Sequence, residues 1–87
     1  MTVEPRDIRL KRLAMRSMRR GTKEMDIILI RFSEARLAQM DHAGLDAYEA
    51  LLDENDQDLY QWISGQKPAP EPHAPLIAEI TEVAANG

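Results

Sequence analysis

Cysteine is absent from the 87 residues, which excludes disulfides, thiol nucleophiles and cysteine-based zinc sites. Aromatic residues are scarce, with one Trp, one Phe and two Tyr. Valine is also rare, so Leu, Ile, Ala and Met make up most of the apolar set, which favours helix over sheet. Glycine occurs only at Gly21, Gly44, Gly65 and Gly87. These positions are too far apart for a phosphate-cradling loop or a dinucleotide fingerprint. The longest apolar run, Ile27-Ile28-Leu29-Ile30, stops at Arg31, far short of the ~20 residues that span a bilayer. No membrane insertion is expected. His42 and His73 have no partner at metal-ligand spacing, so both read as surface residues and no metal is expected. Ser17, Ser33 and Ser64 have no local His–Asp arrangement, and no reaction centre is visible.

What is present is charge, unevenly placed. The formal net charge is −4, but residues 1–36 carry +5 and residues 37–87 carry −9. A basic arm raises the possibility of nucleic-acid binding. The overall acidity and the lack of aromatics among the basic residues argue against it, and the arginines before Gly21 read as a solvated helix face.

Apolar periodicity predicts an all-α fold, a small bundle of about five helices in a single domain. After a frayed end at residues 1–5, a first helix starts near Arg6, with a stripe formed by Ile8, Leu10, Leu13, Ala14, Met15 and Met18. A second, from about Thr22 to Met40, carries Met25, Ile28, Leu29 and Phe32 and is expected to be the most buried. Asp41 is placed to cap a third helix ending near Asp53, with Leu45, Tyr48, Leu51 and Leu52 on one face. Asn55 is placed to cap a short fourth, about Asp56–Ser64, which buries Leu59, Trp62 and Ile63 and is closed by Gly65. The Pro-rich stretch 66–75 reads as an extended linker, and residues 76–87 as a last helix and tail. With four prolines after Lys67 and no distinctive motif, this end is expected to be dispensable for partner binding.

Between the first two helical patterns lies Arg19-Arg20-Gly21-Thr22-Lys23-Glu24-Met25-Asp26-Ile27. Gly21 is expected as a left-handed helix terminator. Arg19 and Arg20 then fall at the negative end of one helix dipole, with Glu24 and Asp26 at the positive end of the next. Arg20 and Glu24 are expected to come close around the bend.

This stretch resembles the Arg-Gly-x-x-Glu signature of the SdhE family, the small succinate dehydrogenase assembly factors that promote flavinylation. A second stretch, Leu51-Leu52-Asp53-Glu54-Asn55-Asp56-Gln57-Asp58-Leu59-Tyr60-Gln61-Trp62, resembles that family's second block: paired leucines, an acidic turn, then Asp-Leu-aromatic-x-Trp. The resemblance covers residues 9–68. It implies a five-helix accessory factor, not an enzyme. Such a factor binds the flavoprotein subunit of succinate dehydrogenase, or of the related fumarate reductase, and aids covalent attachment of FAD to it. By motif position it implies Arg20, Gly21 and Glu24 as functional residues, with Arg19 and Asp26 as contacts. FAD is expected to belong to the partner, with no cofactor held tightly here, and the protein is expected to be a monomer. Family members occur in the bacterial cytosol and the mitochondrial matrix. Residues 1–20 are too charged for a signal peptide, and Glu4 and Asp7 interrupt any transit-peptide pattern. The expected location is therefore the bacterial cytoplasm. The alternative is a small helical regulatory module that binds protein or nucleic acid through its basic first helix.

Overall fold

The computed structural model describes residues 4–18 and 21–86. Five α-helices follow in chain order: α1 Arg6–Met18, α2 Lys23–Arg36, α3 His42–Leu52, α4 Asp56–Ile63 and α5 Ala74–Asn86. No strand occurs among the described residues, so the all-α expectation holds. Three helices begin on side-chain caps that satisfy otherwise orphaned amides. Thr22 accepts from the Met25 amide at 3.3 Å, Asp41 from Gly44 at 2.8 Å and Asn55 from Gln57 at 2.7 Å.

The core is built round α2, which packs against both α1 and α5. Met25, Leu29 and Phe32 are fully buried, joined by Leu13, Leu45, Tyr48, Leu51, Leu52 and Leu59, while Ile28, Trp62 and Ile63 are partly buried against them. The Phe32 and Tyr48 rings lie 5.5 Å apart, tilted by 35°, a favourable aromatic contact. One polar group sits in this apolar layer, the fully buried Ser17. Its hydroxyl donates to the Leu13 carbonyl at 2.8 Å. The Tyr48 hydroxyl, 2.5 Å away, therefore donates to Ser17 Oγ, since that oxygen has no second proton.

Several sequence expectations are corrected. α2 does not run on to Met40. It stops at Arg36, and Leu37–Gln39 forms a 3₁₀ turn that brings Leu37 into the core at 3% exposure. The carbonyls freed there are answered by Arg6, whose guanidinium donates to Ala38 O at 3.0 Å and Met40 O at 2.5 Å. In α1, only Leu13 of the apolar stripe is fully buried, with Leu10 and Ala14 partly so. Ile8, Met15 and Met18 are more than half exposed, because α1 packs through the narrower face that holds Leu13 and Ser17.

The C-terminal end contributes to the core. Leu76, Ile77 and Ile80 of α5 belong to the core. The Pro-rich run is fastened too: Ala69 packs on the core, and the Ala74 amide donates to Pro70 O at 2.9 Å. His73 is no surface residue. Its side chain is 14% exposed, stacks on Trp62 at 5.7 Å and lies 3.3 Å from a Glu54 carboxylate oxygen.

Candidate functional site

Arg19 and Arg20 lie outside the described residues, so their expected approach to Glu24 does not enter the geometry. Gly21, Glu24 and Asp26 are described. Glu24 and Asp26 fall in the first turn of α2, where the helix dipole and unpaired amides favour carboxylates. Glu24 is exposed and has no side-chain hydrogen bond or ion pair among the described residues.

Gly21 is not a left-handed terminator, since among the described residues only Gly65 has positive φ, at +82°. Gly21 serves close approach instead. Its amide donates to the Asp56 carboxylate, and a Cβ at this position would stand 2.8 Å from Asp56 Oδ2. Any side chain would push that carboxylate off the amide. The fold thus joins the two sequence blocks: Gly21, from the Arg-Gly-x-x-Glu stretch, is fastened to Asp56, from the acidic turn that opens α4.

An open groove of about 320 Å³ follows this junction. Thr22 and Glu24 form one wall, Asp56, Gln57, Tyr60 and Gln61 of α4 the other, with Gln66 beyond. The motif reading places functional residues on the corner between the first two helices alone. The signal for the α4 wall lay in the second block, whose Asp56 and Tyr60 are four residues apart and so share one face of α4.

On the basic face of α1, three arginines are paired within the molecule. Arg9 meets Asp46 at 2.5 Å and Glu49 at 3.2 Å; Arg12 meets Glu49 at 3.0 Å and Glu4 at 2.9 Å; Arg16 meets Asp53 at 2.7 Å. Three of the rungs between α1 and α3 share one sequence separation of 37, so the two helices run parallel with three arginines opposite three acids. Hydrogen bonds from Arg12 hold the Glu4 and Glu49 carboxyls below the usual carboxylate range. Bonds to Asp46 and Glu4 likewise raise Arg9 and Arg12, respectively. These cations are engaged within the molecule, which removes the main support for a nucleic-acid module. The sequence held the clue, since positions 9, 12, 16 and 46, 49, 53 repeat the same spacing. Among the described residues no group of three or more His, Cys, Asp or Glu side chains could hold a metal, and no helix is long and apolar enough to cross a membrane.

A family profile described as "Flavinator of succinate dehydrogenase" matches residues 11–84. Similar proteins include three fungal ones named "Succinate dehydrogenase assembly factor 2, mitochondrial". That of Yarrowia lipolytica is 34% identical over 88 residues, covering 95% of this chain and 61% of the relative. That of Aspergillus terreus is 42% identical over 71 residues, covering 82% and 23%. That of Schizosaccharomyces pombe is 40% identical over 68 residues, covering 78% and 49%. The chain therefore matches less than two thirds of the length of each. These names overturn the bacterial cytoplasmic expectation, because the relatives are mitochondrial proteins of fungi. Acids at Glu4 and Asp7 describe a helix start and carry no information about compartment. With a profile that runs through both blocks and into α5, the chain belongs to the SdhE family, the flavinators of succinate dehydrogenase, which are assembly factors and not enzymes.

Proposed function

We propose that this protein binds the flavoprotein subunit of succinate dehydrogenase, or of the related fumarate reductase, and promotes covalent attachment of FAD to it. Arg19, Arg20, Gly21, Glu24 and Asp26 form the docking corner in this reading. FAD remains the partner's, with none held tightly here. The observation that carries the reading is the junction of the two family blocks, where the Gly21 amide is fastened to the Asp56 carboxylate beside an exposed Glu24. Both blocks contribute to one surface, as a shared binding task requires.

The chemistry fits a factor with no reaction centre. Flavinylation needs a nucleophilic histidine placed against the flavin methyl carbon, with stabilisation of the charge that develops on the ring. The partner supplies both groups. The factor need only bind the competent arrangement of the partner's domains more tightly than the others and so raise its population. A corner held by two capped helices and a cross-linking hydrogen bond is rigid enough for that task.

The test pairs thermal melting of Arg20→Ala and Glu24→Ala with in-gel flavin fluorescence of the partner subunit. If these charges only finish helices, each change costs about 0.3–1 kcal/mol and flavinylation is untouched. The docking role predicts normal melting with a sharp loss of covalent flavin. Variants that melt normally and still support full flavinylation would refute it.

A further inference from the structure

The groove beside the corner has a composition that selects its occupant. Among the described residues no Lys or Arg lines it, two carboxylates do, and the rest of its described wall is neutral hydrogen-bonding side chains and one aromatic ring. Tyr60 is 41% exposed, in a chain with only four aromatic residues. The other three are buried or partly buried. We propose that this groove receives a Lys or Arg side chain from an extended segment of the flavoprotein partner. The proposal rests on the docking role given to the corner above.

The physical case has four parts. Glu24 has no side-chain partner among the described residues, and it stands in the first turn of α2. A cation arriving there gains a charge-assisted hydrogen bond without displacing an internal one. The Tyr60 ring offers a second attraction, since a cation over an aromatic face is held by the ring quadrupole. The amide groups of Gln57 and Gln61 both donate and accept, so they can satisfy the peptide groups that flank the incoming side chain.

Volume and charge exclude other occupants. At about 320 Å³ the groove lies near the lower end of the roughly 300–1,000 Å³ typical of ligand sites, enough for one long side chain and its flanking backbone. An anion is disfavoured because two carboxylates, Glu24 and Asp56, already line the groove, and the starts of α2 and α4 are capped by Thr22 and Asn55. A divalent metal has too few ligands, since no cluster of three or more suitable side chains occurs among the described residues.

The test uses the full-length chain and the flavoprotein subunit from the same cell. A photo-crosslinking residue at position 57, which is exposed, is expected to couple to a partner peptide containing Lys or Arg. Tyr60→Ala and Glu24→Gln should each weaken binding by about tenfold, with unchanged thermal melting. Tyr60→Phe, which keeps the ring, should bind as the wild type does. The defect of Glu24→Gln should shrink as salt is raised, because screening removes the Coulombic part of the wild-type advantage. Crosslinks that map to a segment without Lys or Arg overturn the groove's assignment. So does a folded Tyr60→Ala that binds normally, while the docking role of the corner survives. A wild-type chain that forms no complex with the flavoprotein overturns the docking reading, and the groove's occupant with it.

Discussion

Glu49 shows how much one residue can organise. It accepts from both Arg9 and Arg12 and is the carboxylate shared by two rungs. Its carboxyl is held below its ordinary value of 4.5, chiefly by the Arg12 hydrogen bond. A carboxyl depressed by folding contributes stability that is fully present above its unfolded value and lost as pH falls through the folded one. The melting temperature of the wild type should therefore hold above pH ~4.5 and fall below it. Glu49→Gln should melt lower at neutral pH, and its gap from the wild type should close in acid. A gap of constant size down to pH 3 would contradict this. Phe32 is the matching case in the core. The ring is fully buried, so Phe32→Ala should cost roughly 3–5 kcal/mol in denaturant unfolding, and a loss below about 1 kcal/mol would refute that burial. Phe32 was legible from the sequence because an apolar residue at helical spacing declares its own face. Ser17 was not, since nothing local distinguishes a serine on a wet face from one hydrogen-bonded to a tyrosine 31 positions away.

At the scale of elements, helix starts were more legible than helix ends. Thr22, Asp41 and Asn55 are short polar residues whose side chains reach amides two or three positions on, so the signal is local. The end of α2 is set by Leu37 turning inward and by Arg6 reaching the carbonyls beyond it, and neither cause lies in neighbouring sequence. The Pro-rich run before the last helix was less legible for a related reason. Proline spacing describes a chain without partners, whereas Ala69 and His73 have them. Truncation after Lys67 removes Leu76, Ile77 and Ile80. Each buried aliphatic side chain contributes about 1.5–3 kcal/mol, against a total stability of about 5–15 kcal/mol for a domain. The shortened chain should therefore lose cooperative melting by far-UV circular dichroism. A truncated chain that melts as sharply and as high as the whole would show that α5 is peripheral.

For the whole molecule, the two oppositely charged parts of the sequence turn out to be each other's partners. The radius of gyration of 12.5 Å is close to the ~12 Å expected of a compact domain of this length, so the halves do not stand apart. Charge asymmetry was plain in the sequence, but its pairing required knowing that α1 and α3 lie side by side. With Arg9, Arg12 and Arg16 engaged, the protein should show no salt-dependent affinity for arbitrary duplex DNA at physiological ionic strength, as measured by fluorescence anisotropy. A steep salt slope would revive the regulatory-module alternative. The parallel register also has a consequence for synthesis. The α1–α3 rungs join residues 37 or 40 apart, so a nascent α1 has none of its α3 acids until the chain has grown well past α2. At roughly 5–20 residues per second, the first helix waits for some seconds as an unpaired basic segment. Its α3 partners reach it only once that helix has emerged.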